Sequence, residues 1–187
     1  MGSVLKVKRL ALEGAAEITT DRRRDDRGWF ARFFCQRDML EVNGGRPIQQ
    51  ANCSHTVARG TVRGLHFQYP PHAEDKAVRC IQGRVFDVMV DLRRASPTFG
   101  QAHSVILDAA ELNMVYVPRG FAHGFQTIED HCEILYLHTE FHAPTAEGGF
   151  RYDSPALRID WPLPVSHISV RDSGFDPFVP SFEGLVL

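Results

Sequence analysis

The residues of this chain that could do chemistry are mostly set inside apolar runs. His66 lies in Arg63-Gly64-Leu65-His66-Phe67-Gln68, with Lys76 ten positions further on. Asp87 interrupts Phe86-Asp87-Val88-Met89-Val90-Asp91, where a strand interior is apolar or has one face in solvent. A carboxylate buried there must be paired, whereas on a half-exposed strand it needs nothing. Tyr136 shares a strand face with Ile134 and His138 under two-residue alternation, and an inward tyrosine needs a partner for its hydroxyl, which an active site can supply. His138 and His142 are four apart, which aligns residues on a helix, but Ile134-Leu135-Tyr136-Leu137 reads as strand and leaves that spacing to chance. Most of these polar residues make sense together if they converge on His66, whose imidazole can exchange a proton or bind a metal. Taken singly, His66 reads equally well as a satisfied strand histidine, Lys76 as a surface lysine and Tyr136 as core.

Pro118-Arg119-Gly120-Phe121-Ala122-His123-Gly124 follows an apolar strand and is more specific. Its Pro-x-Gly-x-x-His pattern resembles the second motif of the cupin fold, a small antiparallel β-barrel. Pro118 and Gly120 force a tight turn that re-enters the barrel with His123 inward. Cupin histidines in this place often bind a metal, so a metal-dependent cupin is one reading. The first cupin motif normally supplies His-x-His and a later carboxylate, however, and His66-Phe67-Gln68 has no second histidine. His66, His72 and a carboxylate could still make three ligands, but nothing in their spacing requires it.

Strands must hold these residues. Trp29 to Phe34 reads as a strand after the turn at Gly28, and Arg37–Val42 as a short helix broken by Gly44-Gly45. Further strands are expected at Ile48–Val57, Val62–Tyr69, Ala77–Ile81, Val85–Leu92, Ala102–Leu107, Met114–Val117, Gly124–Ile128 and Ile134–Thr139, with a hairpin turn at Gln82-Gly83. After Thr139 prolines and glycines mark irregular structure, with a short strand at Leu157–Trp161 and a Pro- and Phe-rich tail from Asp176 packed on the surface or partly ordered. Regular turns and the lack of long helical periodicity predict a mostly β chain, a sandwich or barrel with a few short helices.

The 187 residues fit one domain, 1–187, with enough chain for a real core. A formal charge of −2 offers no basic field, which argues against nucleic acid or an acidic membrane as the main partner. The run Arg22-Arg23-Arg24 is balanced by Asp21, Asp25 and Asp26 and reads as a solvated loop. Cys35, Cys53, Cys80 and Cys132 are scattered without a Cys-x-x-Cys pair. Met1–Glu13 lacks the apolar segment of a signal peptide, and no run approaches the ~20 residues of a membrane span. A reducing cytoplasm is the expected setting.

Together the motifs resemble those of the dTDP-4-dehydrorhamnose 3,5-epimerases, nucleotide-sugar enzymes of cupin fold. The matching stretches are Arg27-Gly28-x-Phe30, Gln50-x-Asn52-x-Ser54, Arg63-Gly64-Leu65-His66-Phe67-Gln68, Lys76-x-Val78 and Gly83-x-Val85-Phe86-Asp87-Val88-x-Val90-Asp91-Leu92-Arg93. They continue in family order with Ser96-Pro97-Thr98-Phe99-Gly100, Pro118-x-Gly120-Phe121-Ala122-His123-Gly124-Phe125 and Ile168-Ser169-x-x-Asp172. The resemblance implies a cupin-type antiparallel jelly roll and a reaction without metal or other cofactor. A 4-keto group acidifies the neighbouring C3 and C5 hydrogens, a base removes one to form an enolate, and an acid returns a proton to the opposite face. By resemblance His66 is the base, Asp172 its partner, Tyr136 the proton donor and Lys76 the cation near the enolate oxygen. Arg63 matches a substrate-contacting arginine suited to a diphosphate. His123 and Asp87 match a second inward polar pair, and Arg27, Phe30, Gln50, Asn52 and Glu147 match nucleotide or sugar contacts. Part of that set comes from a neighbouring subunit in the family, which implies a homodimer.

The chain departs from the family after Tyr136, where lysine, a small polar pair, an acidic or polar residue and two tyrosines are usual. Here the run is Leu137-His138-Thr139-Glu140-Phe141-His142. His142 stands where the second tyrosine lies near the nucleotide, so sugar or nucleobase preference is expected to differ. Epimerisation at one carbon only, another nucleotide 4-keto sugar, or a binding module without catalysis are the alternatives this leaves.

Overall fold

The structure is a computed structural model describing residues 5–187; Met1 and the three residues after it, the start of the Met1–Glu13 stretch, lie outside the described residues. In chain order the strands are β1 (Leu5–Arg9), β2 (Ala16–Thr20), β3 (Arg23–Asp25), β4 (Gly28–Phe30), β5 (Gln50–Thr56), β6 (Val62–Gln68), β7 (Lys76–Gln82), β8 (Arg84–Asp91), β9 (Ala102–Asp108), β10 (Met114–Val117), β11 (Phe121–Thr127), β12 (Cys132–His138) and β13 (Glu147–Gly149). Helix α1 (Gln36–Asn43) follows β4, and a single turn, α2 (Val170–Ser173), lies near the C-terminus. A six-stranded sheet has the order β1-β2-β10-β7-β12-β5 and a five-stranded sheet the order β13-β6-β11-β8-β9. The pairings within both sheets are antiparallel.

Two-residue alternation sorts the side chains into three layers. Val78 and Cys80 of β7, Val85 and Met89 of β8, Phe121 and Phe125 of β11 and Ile134 of β12 meet between the sheets. The alternate residues Leu65, Val88, Val90 and Ala122 face outward from the five-stranded sheet, where Phe150, Leu157, Phe178 and Leu185 cover them. The far face of the six-stranded sheet buries Ala16, Ile18, Ala77 and Tyr116 against Met39 of α1. Near-continuous apolar runs such as β8 are therefore strands covered on both faces. This is the mostly β, jelly-roll type of fold expected from the sequence.

Several local expectations are corrected. Gln82-Gly83 does turn the chain, with Gly83 at φ +77°, but β7 and β8 part there to opposite sheets instead of pairing as a hairpin. Both strands bury a face in the same middle layer, so those faces meet only across the core. Leu157–Trp161 is not a strand. Pro155–Leu157 forms a short 3-10 turn, Arg158 takes a left-handed φ of +50°, and Ile159 and Trp161 pack as irregular chain; Pro155 and Pro162 lack the N–H groups a ladder needs. Of the strand expected from Trp29 to Phe34 only Trp29 and Phe30 are in one, β4, which pairs with β3 in an exposed two-stranded hairpin. Arg23 and Arg24 are thus solvated but extended, not looped. The helix expected at 37–42 is α1, ended by Gly44 at φ +60°. The tail is packed: Phe178 and Leu185 are buried, and Leu185 hydrogen-bonds Leu92 and Arg94.

Candidate active site

At one end of the middle layer the inward positions turn polar. The alternation that buries Met89, Phe125, Ile134 and Val78 continues into Asp87, His123, Tyr136 and Lys76. A cavity of about 740 Å³ opens there, lined among others by Asn52, Arg63, His66, Lys76, His123, Tyr136, His138, His142, Glu147 and Asp172. His66 and His123 come from the five-stranded sheet, Lys76 and Tyr136 from the six-stranded one, so the two groups stand on opposite walls.

Arg63 and His66 both line the cavity although three residues apart, a spacing that regular alternation sends to opposite faces. A register shift explains it: His123 pairs with His66 and Phe125 with Arg63, so β6 carries one extra residue against β11. Gly64 lies in that bulge at φ +123°, and a Cβ on it would sit 2.6 Å from the Gly124 Cα. The glycines of Arg-Gly-Leu-His and His-Gly-Phe are what let these two strands approach.

The imidazole of His66 is held by Asp172, Nε2 to Oδ1 at 2.7 Å. Asp172 also accepts from Gly64 N–H at 3.0 Å, and its own N–H donates to Ser169 Oγ, the N-cap of α2. Burial alone would push this carboxyl up, but the bonds from His66 and Gly64 outweigh it and hold the carboxyl at about 2. An ionised Asp172 only accepts, so His66 Nε2 carries the proton and the opposite ring nitrogen holds the lone pair a base needs. The Arg171 guanidinium is 3.2 Å from the same Nε2; a guanidinium only donates, so this is a contact and no hydrogen bond while Nε2 is protonated.

Directly across the β6–β11 ladder, His123 Nε2 meets Asp87 Oδ2 at 2.8 Å. Asp87 is buried, does not line the cavity and lies behind His123, with Oδ1 lacking a hydrogen-bond partner among the described residues. Burial pushes its carboxyl up against the opposing pull of His123 and Lys76. Asp87 is thus the paired, buried carboxylate and not the solvent-facing one. On the other wall the Tyr136 hydroxyl lies 3.2 Å from Ser54 Oγ. Burial pushes its phenol up, so it is protonated at neutral pH and able to donate. Lys76 Nζ is 3.2 Å from Glu74 Oε1, and Glu74 Oε2 is 2.7 Å from His138 Nδ1.

At the mouth, His142 Nε2 contacts Glu147 Oε1 at 3.0 Å, and Glu147 Oε2 takes Arg171 at 2.9 Å. Gln50 is outside the lining but accepts the His142 N–H at 3.2 Å. Arg63 is fixed through Thr56 Oγ1 and the His55 carbonyl. Arg27 and Phe30 are not brought to the cavity of their own chain. They sit on the β3–β4 hairpin, where Arg27 pairs with Asp25 and Phe30 is 67 % exposed. Leu137 also lies elsewhere, packed on the far face of the six-stranded sheet beside the α1 layer, so it bears on that face and not on the substrate. Arg171 and Glu74 escaped the sequence reading; the adjacency of Arg171 to Asp172 is the one signal that could have drawn it in. Among the described residues no group of three His, Cys, Asp or Glu side chains converges to hold a metal.

A histidine–carboxylate pair facing a protonated phenol and an ammonium across a cavity of about 740 Å³ defines an acid–base isomerase on a cupin-like sandwich. Comparison with known proteins agrees. Residues 9–179 match the family model described as dTDP-4-dehydrorhamnose 3,5-epimerase, and the chain belongs to that family. It is 38% identical over 180 residues to the dTDP-4-dehydrorhamnose 3,5-epimerase of Mycobacterium tuberculosis, covering 96% of this chain and 88% of that one. It is 40% identical over 170 residues to the dTDP-4-dehydrorhamnose 3-epimerase of Streptomyces niveus, covering 90% and 81%. Among solved structures, a dTDP-6-deoxy-D-glucose-3,5-epimerase from Legionella pneumophila, in complex with dTDP-4-keto-L-rhamnose, superposes with a TM-score of 0.87 at 33% identity, covering 92% of each chain. The protein is accordingly an epimerase.

Proposed function

We propose that this epimerase acts on a dTDP-linked 4-keto-6-deoxyhexose, inverting C3, C5 or both through an enolate. The observation that carries the reading is that base and acid stand on opposite walls, since inversion needs one face deprotonated and the other reprotonated. His66, with Asp172 fixing its tautomer, removes the proton α to the ketone; the C–H electron pair moves into the ring and charge collects on the C4 oxygen. Lys76 stabilises that oxygen, and Tyr136 gives its proton to the carbon from the far side. A positioned acid–base pair contributes roughly 10²–10⁴-fold in rate. Arg63 suits the diphosphate, with Asn52, His123, His142 and Glu147 as further contacts along the lining.

Arg27 and Phe30 are exposed on their own chain, which supports a homodimer in which each β3–β4 hairpin reaches the neighbour's cavity mouth. A cytoplasmic setting suits four cysteines that are all free; no helix among the described residues is long and apolar enough to cross a membrane.

Incubation with dTDP-4-keto-6-deoxyglucose in ²H₂O tests the chemistry and shows which carbon is addressed. Deuterium is expected at C3, C5 or both. His66→Ala should lose exchange at both carbons, while Tyr136→Phe should keep exchange and lose inverted product. Normal exchange by His66→Ala would overturn the base assignment.

A further inference from the structure

His138 and His167 line the cavity without a part in this mechanism, and His138 is the one beside the acid Tyr136. His138 lies on the same inward face of β12 as Tyr136, with its side chain 12% exposed. Three contacts hold it. Its Nδ1 is 2.7 Å from Glu74 Oε2, its Nε2 is 3.3 Å from Asn52 Nδ2, and its ring lies against Tyr136 at 5.9 Å between centroids and 23° between planes. Glu74 is itself nearly buried and pairs with Lys76 through its other oxygen.

The protonation pattern follows from the partners. Burial alone would push the Glu74 carboxyl up, but His138 and Lys76 bring it below its ordinary value, so it is an ionised acceptor and Nδ1 donates to it. Nε2 then presents a lone pair that takes the Asn52 N–H. That contact consumes a donor of Asn52 and leaves its amide oxygen to accept from a substrate hydroxyl. The flat contact with Tyr136 limits rotation of the phenol, whose ring also meets His123 edge-on at 6.3 Å and whose hydroxyl lies 3.2 Å from Ser54 Oγ.

We infer that His138, anchored by Glu74, is a positioning residue: its ring aims the Tyr136 phenol at the enolate, and its Nε2 holds the Asn52 amide toward the bound sugar nucleotide. This rests on the epimerase mechanism above, in which Tyr136 returns the proton. Misplacing a reacting group by about 1 Å costs up to about 10²-fold. Aim at the enolate affects reprotonation and leaves deprotonation by His66 untouched.

The test is the partition between solvent deuterium wash-in and inverted product, measured with KM for wild type, His138→Ala and His138→Phe, each checked for folding by circular dichroism. In His138→Ala, product formation should fall about tenfold or more relative to wash-in, and KM should rise. His138→Phe keeps a flat ring against Tyr136 but has no nitrogen for Asn52, so it should restore the partition while KM stays raised. Wash-in and product falling by the same factor in His138→Ala, or a partition not restored by phenylalanine, would overturn the claim on Tyr136. An unchanged KM in both variants would overturn the claim on Asn52. A wild type without wash-in would instead defeat the proposed mechanism, so the two failures are distinct.

Discussion

Replacing Asp172 by asparagine tests how much of the site rests on one charge. Asp172 accepts from both His66 Nε2 and Gly64 N–H. Asparagine has one acceptor oxygen, so its amide group must face one of those donors. A carboxyl held at about 2 against an ordinary 3.8 contributes about 2 kcal/mol to folding at neutral pH, at ~1.4 kcal/mol per pH unit. Because the folded value is the lower one, that stability is complete above about pH 4 and is lost as pH falls toward about 2. Urea denaturation should therefore show Asp172→Asn less stable by about 2 kcal/mol at pH 7, with the gap to wild type closing between about pH 4 and pH 2. For catalysis, a carboxylate and an imidazolium roughly 4 Å apart attract by about 4 kcal/mol at an effective dielectric of about 20. The His66 side chain is 31% exposed, and solvent screening can halve that energy, leaving about 2–4 kcal/mol, or about 30- to 1,000-fold in turnover. The assay is deuterium exchange under saturating substrate. A variant within threefold of wild type in turnover, with equal stability at pH 7, would refute the reasoning.

Two further predictions concern the other wall and the exposed β3–β4 hairpin. Lys76→Met should lower kcat by about 10²–10³-fold with a smaller change in KM, as removal of one oxyanion donor does; a rise in KM alone would make Lys76 a ground-state contact. Arg27→Ala and Phe30→Ala should raise KM for the nucleotide substrate while leaving β6 and β12 intact, and sedimentation should show a dimer. A monomer with full activity would refute the shared site.

The fold was legible in the sequence where alternation was strong. β8, β10 and β12 lie close to where apolar runs bounded by turns place them, and the buried Asp87 has the partner its burial demands. What local pattern could not show was which sheet each strand joins. Gln82-Gly83 looks like a hairpin because turn chemistry is local, whereas the parting of β7 and β8 depends on both faces finding cover across the molecule. β1 and β2 alternate over only five residues each and β13 spans three, too short to announce themselves, and they form because neighbouring strands offer them a ladder. The bulge at Gly64 is invisible in the same way: the sequence shows a glycine, and only the register against β11 reveals that it turns Arg63 to the same side as His66.

The departures after Tyr136 show how alternation turns a sequence difference into a functional one. Leu137 and His138 are adjacent and both break the family's usual pattern, yet β12 sends one side chain to the α1 layer and the other into the cavity. Leucine for lysine on the outer face is compatible with the apolar cover it meets there. His138 has consequences inside the cavity, because a largely enclosed imidazole needs partners for its polar atoms, and Glu74 and Asn52 supply them. His142, at the mouth, finds its partner in Glu147, which also takes Arg171 beside His66. The two histidines that read as a chance helical spacing thus occupy different parts of the cavity, one bracing the acid Tyr136 and the other at the open end. Substrate preference should therefore respond to changes at 138 and 142 and not to changes at 137.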